Sequence, residues 1–156
     1  MDLAAGVAAA LTAAGEAFGP APAAAPAPRW GRLYVELDAG ADAEFATAIE
    51  LIYEGYLLHY RESRAVAVPS GDLETRLLAG DFFYARGLRS IAARGDADAV
   101  GLLARLMAAC SCLRGIEAPF AADDSLWAYA TAGLAGQHGG TPPAVAAALF
   151  LSLIHI

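Results

Sequence analysis

Apolar residues recur at intervals of three and four along most of the 156-residue chain, the spacing of helices that bury one face. The pattern is clearest over residues 41–63. There Phe45, Ile49, Ile52, Tyr53, Tyr56 and Leu57 form one stripe, and Asp42 is placed to cap the start. An alanine-rich run predicts a helix over residues 2–18, stopped by Gly19 and Pro20. Residues 20–28 are almost wholly Pro and Ala. Each Pro fixes φ and disfavours helix just before it, so this stretch reads as a semi-rigid extended linker. A short helix over residues 30–38 ends at Gly40. Ser70 or Asp72 then opens a helix running to 93, Asp96 one running to 113, and Asp123 or Asp124 one running to 134. Gly95, Gly115 and Pro119 separate them, and Pro142 and Pro143 open a last helix with proline in its first turn. With no alternating β pattern of useful length and no internal repeat, the prediction is an all-α bundle with short loops.

Composition narrows the class. At 58% hydrophobic and 17% charged residues, the chain is too apolar to be disordered, and its length suits a single domain. The net charge is −7 and all ten cations are arginine. A pI near 4.8 without a dense basic stripe excludes nucleic acid as the main partner. The N-terminus is apolar but opens with Asp2 and has no cation before Arg29, unlike the positive start of a signal peptide. Residues 125–156 carry no Asp, Glu, Lys or Arg, yet Gly133, Gly136, Gly139, Gly140, Pro142 and Pro143 interrupt them. No unbroken apolar run of about 18 residues survives there, so no membrane span is expected. Cys110 and Cys112, two apart on a helix, face different sides. They make a poor chelate and a poor disulfide, and read as small buried residues of a cytoplasmic protein.

Three segments carry a family resemblance. Ala46-Thr-Ala-Ile-Glu-Leu-Ile-Tyr-Glu-Gly-Tyr-Leu-Leu-His-Tyr-Arg-Glu-Ser-Arg64 resembles the helix of polyprenyl diphosphate synthases that ends in the first Asp-rich motif, A-x-E-L-I-H-x-x-x-L-x-H-D-D-x-x-D. Leu77-Leu-Ala-Gly-Asp-Phe-Phe-Tyr-Ala-Arg86 is similar to the family's L-x-A-G-D-x-L-x-x-x-A helix. Arg29-Trp-Gly-Arg32 lies where the family has G-K-R-x-R-P, its diphosphate-binding segment. Ala130-Thr-Ala-Gly-Leu134 resembles a K-T-A-x-L element more weakly. The resemblance implies a helical bundle of the isoprenoid-synthase type, truncated, over residues 30–150. Residues 1–18 and 19–29 then precede it as an alanine-rich helix and a linker.

The departures shape the functional expectation. Against H-D-D-x-x-D the chain reads His59-Tyr60-Arg61-Glu62-Ser63-Arg64. The aspartates that would hold Mg²⁺ against a diphosphate are gone, and two are replaced by arginine. The resemblance therefore implies a noncatalytic or regulatory subunit in isoprenoid synthesis, with no catalytic residue and no metal ligand. Mg²⁺ would enter only if a partner or a further C-terminal half supplied ligands. Arg29, Arg32, Arg61 and Arg64 are the candidates for diphosphate binding, since a guanidinium fork matches phosphate oxygens directly. Tyr53, Tyr56, Phe82 and Phe83, with Tyr84, are the candidates for a prenyl tunnel wall, and His59 and Asp81 for supporting roles. The partners implied are a catalytic prenyl synthase subunit or a second copy in a homodimer, and a prenyl diphosphate. Two alternatives are an enzyme of the same fold with metal-free chemistry and a helical interaction module without an isoprenoid role.

Other residues read as structural. Glu50 and Glu54 share a helical face, but no Glu-x-x-His follows on another helix, so a solvated or arginine-paired face is expected. Asp81 follows Gly80 inside a helix, which points to close packing at that glycine. Asp123-Asp124 lacks a third carboxylate and reads as a cap. The string Leu151-Ser-Leu-Ile-His-Ile156 matches the translation of a transposon end used in sequencing libraries. The expectation is that the natural sequence departs from it near Phe150 and continues, so His155 is not counted as a site residue.

Overall fold

A computed structural model of the chain describes residues 2–38 and 40–137. The helix expected after Pro142 and the segment 151–156 lie outside the described residues. Among those described, the fold is six helices and no strand: α1 (Leu3–Gly15), α2 (Trp30–Leu37), α3 (Ala43–Tyr60), α4 (Leu73–Ala92), α5 (Ala97–Gly115) and α6 (Phe120–Gln137). The chain is all-α. No helix is long and apolar enough to cross a membrane among the described residues.

Aspartates start three of the helices as the sequence predicts. Asp42 accepts from the Glu44 amide at 2.8 Å, Asp72 from Thr75 at 3.1 Å and Asp96 from Ala99 at 2.9 Å. Each satisfies an amide that the helix itself leaves open. The start of α6 is a correction. It begins at Phe120, directly after Pro119, and Asp123 sits inside its first turn, fully buried. The Asp123 carboxylate accepts instead from the Tyr56 hydroxyl and, at 2.7 Å, from Arg114. Two strong donors on α3 and α5 outcompete a cap role, and the bonds tie three helices together.

The helix α3 is the axis of the molecule. Its sequence shows one apolar stripe, yet every residue from Phe45 to Leu58 except Thr47 is buried. Different faces meet α1, α2 and α4. One core cluster joins Trp30, Tyr34, Ile49, Tyr53 and Tyr56 to Leu103, Leu106, Trp127 and Leu134 of α5 and α6. The Trp127 ring meets Tyr53 edge-on at 4.9 Å and stacks on Trp30 at 6.2 Å. Such aromatic pairs add about 0.5–1.5 kcal/mol each beyond the area they bury. A second cluster packs Val7, Leu11 and Ala14 of α1 on Leu51, Leu58, Ala79 and Phe83.

Where α3 crosses α4, the missing side chain of Gly80 makes room for His59. A Cβ there would stand 1.9 Å from the imidazole, so the packing expected at this glycine is present. The two cysteines divide. Cys110 is buried and Cys112 exposed, which corrects the reading of both as core residues. Burial pushes the Cys110 thiol up to about 12, with Asp123 adding to the effect.

Candidate functional site

A helix that buries two glutamates must supply them with partners. Glu50 and Glu54 have no exposure and lie one turn apart on α3. Glu50 Oε1 accepts from the backbone amides of Arg29 at 2.6 Å and Gly31 at 2.7 Å. It thereby closes the N-terminus of α2, which has no cap of its own. The contact depends on Gly31, because a Cβ there would lie 2.5 Å from the Ala46 carbonyl oxygen and 3.0 Å from Glu50 Cγ. Glu54 Oε1 accepts from Ser63 Oγ at 2.7 Å, the Arg64 amide at 2.7 Å and the Ala65 amide at 3.1 Å. One carboxylate thus folds the turn that follows α3.

Arg64 joins the two glutamates. Its Nε donates to Glu54 Oε2 at 3.0 Å, and its Nη1 lies 2.9 Å from Glu50 Oε2. Nη1 also donates to the Ala27 carbonyl at 2.9 Å, and the guanidinium covers the Tyr53 ring at 4.8 Å. Its Nη2 is buried without a hydrogen-bond partner. The glutamate face is therefore arginine-paired and desolvated, not solvated.

Above this buried layer opens a cleft of about 770 Å³, whose walls include Arg29, Arg32, Arg61, Arg64 and Arg76 together with Tyr53, Leu57, Tyr60 and Phe120. All four arginines proposed from the sequence for diphosphate binding meet here, and Arg76 joins them. These five are half of the ten cations in a chain of net charge −7. Asp124 lies between two of them, 3.2 Å from Arg29 Nη2 and 3.1 Å from Arg61 Nη1. Burial works against the Arg29 charge, but Tyr53 and Asp124 outweigh it and hold the guanidinium above its ordinary value. Arg32 is the most exposed, at 68%, and makes only a loose pair with Glu36 at 3.4 Å. Arg76 donates to the Leu58 carbonyl at 3.1 Å and to the Arg61 carbonyl, fixing the end of α3 from α4.

Compared with protein-family models, with curated proteins and with solved structures, the chain matches none.

The aromatic candidates do not share one wall. Tyr53 lines the cleft, while Tyr56 is buried beneath it, its hydroxyl held by Asp123. Phe83 belongs to the cluster under α1, and Phe82 lies at the surface with its ring 5.3 Å from Phe18. Tyr84 packs edge-on against His59 at 5.1 Å, on the α3–α4 crossing. His59 and Asp81 form a pair across that crossing, with His59 Nε2 3.2 Å from Asp81 Oδ1.

Arg61 and Arg64 bring positive charge to the cleft wall. Among the described residues no three His, Cys, Asp or Glu side chains are grouped to hold a metal ion. Sequence reasoning missed Glu62 and Arg76 as cleft residues and Asp124 as the partner of two cleft arginines. The Asp123-Asp124 doublet was a signal, but helical spacing cannot tell a cap from a cross-helix partner. Arg76 had no motif around it.

Proposed function

We propose that the chain is a noncatalytic, polyprenyl diphosphate synthase-like protein whose arginine cleft takes the diphosphate of a prenyl ligand without metal. One observation carries this reading. Arg29 and Arg32 come from one motif-like segment and Arg61 and Arg64 from another, and the fold brings all four to a single cleft. Guanidinium groups replace Mg²⁺ as the countercharge, since their planar forks pair with phosphate oxygens directly. Leu57, Tyr60 and Phe120 at the same walls offer apolar surface for the first isoprene units. In this role the protein would present or sequester a prenyl diphosphate beside a catalytic synthase subunit that keeps its Asp-rich motifs.

Calorimetric titration with farnesyl diphosphate, without added Mg²⁺, tests the reading. Saturable binding is expected, weakened about tenfold by Arg32→Met or Arg61→Met, in line with the worth of a charge-assisted bond to phosphate. The purified chain should show no Mg²⁺-dependent prenyl transfer by itself. Absence of binding leaves a helical interaction module as the reading, and robust turnover by the isolated chain overturns the noncatalytic role.

A further inference from the structure

An anion stands beside the cleft and holds two of the arginines that line it. Asp124 puts one carboxylate oxygen 3.2 Å from Arg29 and the other 3.1 Å from Arg61, bridging guanidinium groups that flank α2 and follow α3. Exposed Glu62 also lines the cleft, and Asp124 differs from Glu50 and Glu54 in its access to water. Glu50 and Glu54 are fully enclosed and also hold backbone amides, so they cannot leave without opening the fold. The Asp124 side chain is 31% exposed, on the second turn of a helix anchored next door by buried Asp123. It can swing out while α6 stays in place.

We propose that Asp124 is a built-in counter-anion that keeps Arg29 and Arg61 aligned in the empty cleft and gives way to the incoming ligand. This rests on the anion-binding reading above and adds regulation to it. The step is an exchange of ion pairs with no covalent change. A monophosphate, at about −1.5 to −2 near pH 7, gains only modestly in charge when it replaces the carboxylate. A diphosphate carries several charges and two linked phosphoryl groups, so it also engages Arg32 at the open side of the cleft. The displaced Asp124 then stands beside the ligand and repels it. Asp124 therefore lowers the affinity of the site for diphosphates and monophosphates alike.

The test is calorimetry on the full chain with inorganic diphosphate and, separately, orthophosphate. Three proteins are compared: wild type, Asp124→Asn, and Asp124→Asn combined with Arg61→Met. Asp124→Asn should bind diphosphate about tenfold tighter, the summed worth of two partly exposed ion pairs. Orthophosphate should gain as well, by a similar or smaller factor. Adding Arg61→Met should remove most of the gain, an effect that a general loosening of the fold would not produce. Circular dichroism and a second variant, Asp124→Ser, guard against misfolding. If wild type binds diphosphate and both Asp124 variants bind equally or more weakly, the gating role is overturned while the anion site stands. If no protein binds, the anion site itself fails, and the proposal with it.

Discussion

At the inner end of the ion-pair network Glu50 and Glu54 lie fully buried against Arg64, while at its rim Asp124 shares Arg29 and Arg61 within reach of water. Both ends use the same carboxylate and guanidinium chemistry. Solvent separates their roles. A buried pair is held by the large penalty of stranding either charge, whereas an exposed pair is worth little because water competes for both partners. The inner end accordingly organises the start of α2 and the turn after α3. The rim is left adjustable, which is what a ligand needs.

Breaking the inner end should have the largest effect. Glu54→Ala removes one of the two carboxylates on buried Arg64 and the acceptor shared by three donors of the 63–65 turn, and is expected to lower stability by about 3 kcal/mol in urea unfolding. A loss below about 1 kcal/mol would mean that water reaches Arg64 and that the two ends do not differ. Gly31→Ala attacks the same end through packing. Alanine is the better helix former, yet its Cβ would press on the Ala46 carbonyl, so a net loss of about 1–3 kcal/mol is expected.

Asp42 supplies a reference carboxylate that is neither inner nor part of the cleft. The Glu44 amide and Arg94 hold its carboxyl below the ordinary value of 3.8. A folded value below the unfolded one means stability that is present above that value and lost as pH falls through the folded one. Asp42→Ala should cost about 1 kcal/mol at neutral pH, a difference that fades as pH is lowered below the usual carboxylate range. A pH-independent difference would remove the cap from the account.

At the rim, Asp124→Asn should change stability by less than about 1 kcal/mol, and the change should shrink further in high salt. A larger, salt-insensitive loss would place Asp124 with the inner carboxylates and sharpen the boundary between the two ends.

Much of the fold was legible from residue spacing. The caps at Asp42, Asp72 and Asp96 act within a few residues of themselves, so their local chemistry predicts their geometry. Gly80 likewise announced a close crossing, because a glycine inside a helix is costly without one. The cleft was legible only in part. Arg29, Arg32, Arg61 and Arg64 follow from the resemblance, and they do converge, but nothing in the residue pattern shows that Arg29 and Arg61 share Asp124 or that Arg64 meets both Glu50 and Glu54. The aromatics were harder still. Tyr53 and Phe83 look alike in the pattern, yet one lines the cleft and the other lies beneath α1.

What the chain's pattern determined by itself is the set of helices, because helical period, capping and proline breaks act over neighbouring residues. Tertiary structure alone decided that α3 is enclosed on nearly every side and that its glutamates are buried. It also decided that Asp123 turns inward while Asp124 turns to the arginines. Those outcomes depend on which distant segment covers each face, and burial converts an ordinary surface charge into one that must be paired.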